Sequence, residues 1–471
     1  VPVKGYRQRR QLPDRVCRSG WFLDMHTIGG ILNKSEPVER AHLDKNYKNY
    51  TMVAPFALPL RAFYSKNVSN LWMAGRDISV THVVLGSVRV MNTLANIGQV
   101  VGTAASYAIQ HKLSPRQTAN IEEKDIRHIQ QILLKNDICI PEIKNEDKKD
   151  LARDAKIEVS SEAVLNLGEV DKDNFEKLSK PRAQVFPVTN KEIKQIDVYL
   201  KNKCKSVREI KVKLELIDNI WQQESGKIIS ETKINLPPQF EGWQTVKFQT
   251  EVVPEKTYRV CLSCAEDVYW ARSQYQPVGT VAQYLYTSEG GCESQNKDFS
   301  SLKKNEVFLP AFSYWNQPKR DLYSLAVKVF PQSSPYSGRS INNGKAWPFA
   351  MPNLWISDSK DTNPEIEIHF DKELTFKSIH LTFDTNLNLV HSRMPGYWKP
   401  PYVVKDYCLF AKSNNTWKKI HEEKNNYMRK RIHHFEKISS TAVRLQIIGN
   451  NNDLLDSKIE GTGRVYEIRV Y

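Results

Sequence analysis

The stretch from Asn70 to Gln110 restricts the possible folds of this chain more than any other part of the sequence. Its first apolar run, Leu71–Ala74, stops at Gly75, and such a run predicts a buried strand that ends in a tight turn. Gly86-Ser87 then predicts the start of a helix. A strand, a glycine turn and a helix N-terminus together form a common site for an anionic or electron-rich group.

The predicted helix has one face with almost no side chains. Gly98, Gly102 and Ser106 follow one another at every fourth position, and such positions share one side of an α-helix. Glycine costs about 1 kcal/mol in a helix interior relative to alanine, so two on one face indicate that another group approaches the backbone closely. Residues 90–111 contain no Asp, Glu, Lys or Arg, but many other polar residues disfavour a membrane span. Spacing alone therefore predicts a buried core helix packed on a sheet.

Several segments of residues 5–143 agree in order and spacing with a known family. They resemble the C-terminal part of a bacterial family of FAD-dependent oxidoreductases, which occur in polysaccharide-degrading gene neighbourhoods and are sometimes labelled xanthan lyase related. The segments are Asn70–Ser79, Thr81-His82, Gly86–Met91 and Gly98–Ala105, with Pro59–Arg61 and the Asp24-x-His26 pair before them.

The resemblance implies one wall of an FAD site. The Ala-Gly-Arg turn would lie along the ribityl chain and pyrophosphate, and the helix start would face the pyrimidine end of the flavin. A helix N-terminus there would stabilise negative charge on the reduced ring. The residues assigned to cofactor binding are Gly75, Arg76, Asp77, Thr81, His82, Gly86, Ser87 and Arg89.

Asp24 and His26 are the candidate catalytic residues. They lie in a predicted strand, Val16–His26, whose period of two places both on one face. Such a pair can transfer a proton near a redox centre, or the carboxylate can hold the histidine in place. An ordinary structural histidine is the alternative.

No Gly-x-Gly-x-x-Gly occurs in the sequence. A flavoprotein of this type normally carries that motif near its N-terminus, where it binds the pyrophosphate. We therefore expect the sequence to be the C-terminal part of a longer protein, with the dinucleotide-binding segment as its missing partner. We expect that this chain alone neither retains FAD nor is active.

After a charged linker at residues 145–150 the sequence alternates as half-buried strands do. Residues 151–165 with 336–471 resemble a discoidin-like, coagulation-factor C-type β-sandwich. Residues 180–332 predict a second β-sandwich inserted after its first strand, with a simple tandem arrangement as the alternative. The predicted fold class is multidomain α+β: residues 1–145 form the C-terminal part of an FAD-binding α/β domain, and two jelly-roll, galactose-binding-like sandwiches follow.

Loop aromatics of the discoidin-like region are candidate sugar-binding residues, because a pyranose ring stacks on an aromatic face. Tyr397 and Trp398 are the candidates, with Arg393 beside them. In the alternative, other tryptophans fill the core and the loop aromatics pack against a neighbouring domain. These other tryptophans are Trp347, Trp355 and Trp417.

The chain carries 68 basic and 53 acidic residues, a formal charge of +15. Such a balance suits nucleic acid, an anionic glycan or an acidic membrane surface, but no nucleic-acid motif occurs and the charge is spread out. We expect a solvated basic surface with no nucleic-acid partner. Binding of an anionic polysaccharide to that surface is the second interpretation. Cys261 and Cys264 are three apart in an alternating segment, so they point to opposite faces and predict no metal site.

Two functions of different classes follow. The first is the C-terminal portion of an FAD-dependent oxidoreductase that acts on a carbohydrate-related or other small substrate, with β-sandwich accessory domains. The second is a non-catalytic carbohydrate-binding or polysaccharide-lyase accessory protein. In both, a glycan is the possible ligand, no transmembrane segment is expected, and the domain content suggests a periplasmic or extracellular location.

Overall fold

A computed structural model describes residues 12–21, 55–120, 124–287, 313–317, 323–386, 398–451 and 463–471. The chain divides into two compact units, Val1–Lys149 and Asp150–Tyr471, called the first and second unit below. Strands predominate in the described part, and its α-helices all lie in the first unit. None of the helices described is both long and apolar enough to cross a membrane.

In the first unit, helices pack on a small antiparallel sheet of two strands, β1 (Arg15–Ser19) and β2 (Phe56–Pro59). The helix α2 is the longest, and its buried residues Ile97 and Val100 share one core cluster with Val16 of β1 and Ile129 of α4. The four described helices are α1 (His82–Val88), α2 (Met91–His111), α3 (Pro115–Thr118) and α4 (Lys124–Lys135).

The second unit contains two facing sheets that share one core. A six-stranded sheet has the order β13-β12-β5-β10-β7-β8, and a five-stranded sheet has the order β14-β6-β11-β4, with β9 paired to β6. The strands are β4 (Val170–Lys177), β5 (Arg182–Val188), β6 (Glu192–Asn202), β7 (Arg208–Ile217), β8 (Lys227–Leu236), β9 (Glu241–Glu251), β10 (Lys256–Leu262), β11 (Val268–Ser273), β12 (Val281–Thr287), β13 (Ser313–Asn316) and β14 (Val327–Phe330).

Alternation explains this core. Burial along β6 alternates almost strictly, so Ile196 and Val198 face inward while their neighbours face solvent. They join Phe186 and Leu214 of the opposite sheet in one buried cluster. Two sheets with such a common core form a sandwich.

A third sheet of the second unit has seven strands in the order β15-β20-β16-β19-β17-β18, with β3 paired to β16. In the sequence, β3 precedes the strands of the two facing sheets and β16 follows them. These two strands pair with each other, with Ile366 opposite Val159. The predicted insertion and its domain boundaries stay a prediction. The strands are β3 (Lys156–Val159), β15 (Trp355–Ile356), β16 (Glu365–Phe383), β17 (Val404–Ser413), β18 (Thr416–Glu423), β19 (Lys430–Asn450) and β20 (Arg464–Val470).

Two long strands make this seven-stranded sheet fold over itself. The register of β16 against β19 shifts between His369 and Leu374 and again between Phe376 and Ser378. Before the shifts β16 pairs with β3, and after them it pairs with β20. Side chains from both halves lie in one core cluster, so the sheet forms two layers that are continuous through β16 and β19.

The two ends of the second unit lie together. Leu151 N donates to Val470 O at 2.8 Å, and Val470 N donates to Asp150 Oδ1 at 3.0 Å. The Asp150 carboxylate is buried. The first residues of this unit are therefore fastened to its last strand.

Candidate functional site

The glycine turn of the predicted cofactor segment is present, but the strand before it is not. Trp72 pairs with Tyr64 through an isolated β-bridge, and Leu71 is 45% exposed. The predicted buried strand Leu71–Ala74 is therefore wrong. Gly75 has a φ of +71°, which favours glycine, and among the described atoms none lies within 4 Å of the position its Cβ would take. The turn thus leaves open space beside its backbone.

The polar residues around this turn face solvent. Those assigned to cofactor binding by resemblance and found exposed are Arg76, Asp77, Thr81 and His82. Arg89, assigned with them, is half-buried. The exposed side chains are accessible to a ligand that approaches the turn from outside the first unit.

The sequence predicted that Gly86-Ser87 begins a helix, but no helix begins at these two residues. They lie in the last turn of α1, which starts at His82. Val90 is extended, with φ of −79° and ψ of 145°, and separates α1 from α2. The first turn of the 21-residue α2 has no acidic residue, and Val90 provides no side-chain cap. The long helix of this segment therefore has its N-terminus at Met91.

Ser87 is buried and bonded within the protein. Its hydroxyl donates to the carbonyl oxygen of Trp21, and its own carbonyl accepts from Ser19 Oγ at 2.8 Å. Ser19 Oγ also lies 3.4 Å from Thr93 Oγ1. These bonds fasten the end of α1 and the start of α2 to β1. The assignment of Ser87 to cofactor binding stays a prediction, and the structure shows a positioning contact.

Arg61 is held by a partner that the sequence pattern did not indicate. Its Nε donates to Asp14 Oδ2 at 2.8 Å and its backbone N to the same oxygen at 3.1 Å. Asp14 is fully buried, whereas the Arg61 side chain is about half exposed at 48%. Hydrogen bonding to Asp14 raises the pKa of Arg61. The pair fixes the chain between β2 and the cofactor segment.

The small-residue face of α2 is exposed, although its spacing predicted a buried helix. Gly98, Gly102 and Ser106 all face solvent. No described atom beyond the local backbone lies within 4 Å of a Cβ built at either glycine. The opposite face, which includes Ile97 and Ala104, packs in the core. Periodicity identified the faces correctly but assigned the wrong one to the interior.

The candidate catalytic pair lies outside the described residues. The strand β1 (Arg15–Ser19) overlaps the predicted strand Val16–His26 at residues 16–19, while Asp24 and His26 fall within residues 22–54. Their catalytic roles stay a prediction.

The second candidate site is an exposed aromatic pair at one end of the seven-stranded sheet. Trp398 is 72% exposed and Tyr427 is 46% exposed, and their ring centroids are 5.9 Å apart. Lys399 Nζ lies 4.4 Å from the centroid of the Trp398 ring. The two rings are tilted by 57°, and together they offer exposed aromatic surface with a positive charge over the Trp398 ring. Arg393 and Tyr397 lie outside the described residues.

The other tryptophans have different surroundings. Trp355 is fully buried in the core of the seven-stranded sheet. Trp347 is half-buried with the Arg429 guanidinium 4.5 Å from its ring centroid. Trp417 is half-buried, and Arg444 lies 4.3 Å from its centroid. Core packing thus accounts for Trp355, but it does not account for the exposed Trp398.

The two cysteines of the Cys261-x-x-Cys264 segment have different surroundings. Cys261 is buried and Cys264 is exposed, and both are free thiols. Burial raises the pKa of the Cys261 thiol. Their interpretation as ordinary core and surface cysteines stays a prediction.

Comparison with known protein families gives a match in the first unit. Residues 3–133 match the model of a family described as FAD dependent oxidoreductase. This confirms the resemblance read from the cofactor segment. No curated protein matches the chain, so the label of xanthan lyase relative stays a prediction.

Solved structures similar to this chain include family 32 carbohydrate-binding modules. The module of EndoD from Streptococcus pneumoniae is 16% identical with a TM-score of 0.24, covering 30% of this chain and 90% of the module. The module of NanJ from Clostridium perfringens, solved with galactose, is 15% identical with a TM-score of 0.20, covering 28% and 81%. At these scores the likeness identifies no ligand for this chain.

Proposed function

We propose that this chain is the C-terminal portion of an FAD-dependent oxidoreductase that acts on a carbohydrate-related or other small substrate, with β-sandwich accessory domains. The observation that carries the proposal is the family match over residues 3–133. It includes every residue assigned to the cofactor and both candidate catalytic residues. Export to the periplasm or cell exterior belongs to the same proposal.

The described residues fit a flavin cofactor. Gly75 combines a left-handed backbone with open space where a Cβ would sit, so a ligand can approach its backbone closely. Arg76 is exposed next to it and can contact a pyrophosphate. The uncapped N-terminus of α2 at Met91 can stabilise negative charge nearby. When bound, FAD would supply electron transfer.

Asp24 and His26 are the proposed catalytic residues of this oxidoreductase. The pair would bind the substrate and hold or move a proton at the reacting carbon, with the carboxylate orienting the imidazole. Arg61 would keep the cofactor segment in place through its bonds to the buried Asp14. In this arrangement Ser87 acts by positioning α1 against β1.

The test is to express the protein from its complete reading frame and measure flavin absorbance, expected at about 450 nm. The Arg76→Ala variant should bind FAD at least about tenfold more weakly, because a charge-assisted bond to phosphate is lost. Arg127→Ala is the matched control, since Arg127 is an exposed arginine of α4 outside the cofactor segment. Absence of flavin after reconstitution, or equal effects of the two variants, would contradict the proposal.

A second candidate function, glycan binding, is favoured by the exposure of Trp398 beside Tyr427 and Lys399. We propose that a sugar ring stacks on Trp398 and that Lys399 favours glycans with carboxylate groups. Truncation of a stacking aromatic costs about 1 kcal/mol or more. The Trp398→Ala variant should therefore lose most retardation by uronic-acid polysaccharide in affinity gel electrophoresis.

Trp243 provides the matched control for this experiment. Lys328 Nζ also lies 4.4 Å from its ring centroid, but the ring packs edge-on against Tyr199 on the other sandwich. Trp243→Ala should leave the retardation unchanged. Equal retardation of the wild type and Trp398→Ala would count against this surface.

A further inference from the structure

A separate cluster of side chains lies where the end of β18 meets the beginning of β19. His421 and Glu423 are two residues apart on β18, so they share one face of the strand. His433 comes from β19, where that strand pairs with the second half of β16. One potential ligand atom from each of the three lies within 4.8 Å of the other two.

The spacing of these atoms suits a bound metal ion. His421 Nε2 lies 3.5 Å from Glu423 Oε2. Two ligands of a tetrahedral zinc ion, each about 2.1 Å from the metal, lie about 3.4 Å apart. The rings of His421 and His433 have their centroids 3.9 Å apart. To bind one ion, the two imidazoles would have to move apart from this close arrangement, so that one nitrogen of each ring faces the metal.

His421 also has a buried nitrogen that lacks a hydrogen bond. Its Nε2 atom makes no hydrogen bond among the described residues, although Glu423 Oε2 lies 3.5 Å away; His369 Nε2 has the same status. Leaving a buried polar atom unsatisfied costs about 1–3 kcal/mol, and such atoms call for a specific explanation. A metal ion between the three side chains would use the lone pair of this nitrogen.

Two neighbouring residues contact the three proposed ligands from outside the site. The Tyr407 hydroxyl lies 2.8 Å from His433 Nε2, which leaves Nδ1 of His433 for the ion. Arg431 pairs with Glu423 through Oε2, the same oxygen that lies near His421 Nε2, so the guanidinium and the ion would share it. Histidine and carboxylate ligands commonly carry such second contacts. The positive charge of Arg431 opposes a cation, so this residue should weaken the site rather than create it.

We infer that His421, Glu423 and His433 bind a divalent transition-metal ion, with Zn²⁺ the best match. Two imidazoles and one carboxylate form a known three-ligand set for zinc, with a fourth position open to water or another ligand. Ca²⁺ and Mg²⁺ prefer oxygen ligands, so the two imidazoles favour a transition metal. The ion would join β18 to the first half of β19.

A second His/Glu group in the same sheet does not carry this inference. Glu158, Glu367 and His369 also lie close together, but the group has one imidazole and Glu158 is 51% exposed. Lys156 Nζ lies 2.6 Å from Glu158, and Arg444 Nε donates to Glu367 at 2.9 Å. It is a surface ion-pair network, and it provides a matched control.

The test is calorimetric titration of the full, metal-stripped chain with ZnCl₂. We expect one saturable site, and His421→Gln and Glu423→Gln should each weaken binding by at least about tenfold, the usual minimum effect of such losses. His369→Gln should bind as the wild type does. Absence of saturable binding, or equal effects of His421→Gln and His369→Gln, would overturn the inference.

Two further measurements separate metal binding from structural damage. Arg431→Met should strengthen Zn²⁺ binding by about threefold or more, because a like charge near the ion is removed; weaker binding would contradict the site. Zn²⁺ should raise the unfolding temperature of the wild type and of His369→Gln but leave that of His421→Gln unchanged. A zinc-induced rise that persists in His421→Gln would place the ion elsewhere and overturn the assignment.

Discussion

At the scale of single residues, buried ionisable groups make the stability of this protein depend on pH, and Asp150 is the clearest case. Its Oδ1 accepts from Val470 N at 3.0 Å and from Ala152 N at 3.1 Å. Burial raises the pKa of Asp150 to about 6, although Arg469 and the two backbone donors lower it in part. In the unfolded chain the pKa is the ordinary 3.8. The folded state therefore holds this proton more tightly than the unfolded state does.

The pH dependence of stability follows from that difference. Between pH 3.8 and about 6 the folded chain binds more protons at Asp150, so this residue lowers stability as the pH rises, by about 3 kcal/mol at most. His433 acts in the opposite direction, because burial lowers its pKa to about 4 and its neutral form is favoured in the folded state. The two effects partly cancel in the wild type.

Asp150→Asn should remove the first effect and expose the second. We expect the stability of this variant, measured by urea unfolding in the presence of a chelator, to rise more steeply from pH 4 to pH 6.5 than that of the wild type. The exposed Asp371 gives a control, and Asp371→Asn should keep the wild-type profile. Parallel profiles for wild type and Asp150→Asn would show that Asp150 does not titrate in this range.

At this scale the sequence predicted individual residues better than it predicted contacts between residues. The exposed Trp398 and the turn at Gly75 were predicted from their local surroundings. Asp14 was missed because its partner, Arg61, lies 47 residues away in the sequence. His433 was missed for the same reason, since Glu423 and Tyr407 come from two other strands. Contacts between distant segments leave no local pattern.

At the scale of elements, the helix pair α1 and α2 shows what periodicity can and cannot determine. The spacing of small residues predicted the long helix, and α2 is present. The break at Val90 was not predicted, because an extended residue between two helices has no distinctive sequence pattern. The exposed position of Gly98 and Gly102 was also missed, since spacing alone does not say which face is covered.

Gly102→Ala should stabilise the first unit by about 0.5–1 kcal/mol, because alanine restricts the unfolded chain and an added Cβ meets open space. The measurement is urea unfolding followed by circular dichroism at the helical band, since the described helices all lie in this unit.

Gly75→Ala is the contrasting variant. The φ of +71° places an alanine in the left-handed region, which costs about 1–2 kcal/mol. It should therefore lower the unfolding midpoint that Gly102→Ala raises. A destabilised Gly102→Ala would show that the small-residue face of α2 is covered by another part of the protein.

At the scale of the whole molecule, the second unit is organised by strands that are distant in sequence. Leu165 N donates to Ser333 O at 2.9 Å, so the chain enters and leaves the facing pair of sheets at one place. The alternation of polar and apolar residues predicted that this unit consists of strands. The sharing of β16 and β19 between two layers was not predicted, because their register shifts depend on partners from elsewhere in the chain.

Replacing residues 166–332 by a short Gly-Ser linker should leave a seven-stranded sheet that still unfolds cooperatively, because its ends meet at Leu165 and Ser333. Its stability should be lower, since Leu354 and Tyr466 lose their apolar neighbours in the removed sandwich. The measurement is thermal unfolding by circular dichroism.

A shorter variant tests the role of β3. Removing residues 150–160 as well would leave the first half of β16 paired with β19 but unpaired on the side of β3, and an unpaired edge promotes aggregation. If this variant unfolds as cooperatively as the longer one, the pairing of β3 contributes little and the predicted domain boundaries need revision.

The joined ends of the second unit have a mechanical consequence. Tension applied between residue 150 and Tyr471 would act first on the bonds of Asp150 and Leu151 to Val470. The interior strands would carry little load until those bonds break. A protein fused behind Tyr471 would emerge beside the point where the chain enters this unit, so a pull on the fusion would reach the linker at residues 145–150 without stretching either layer.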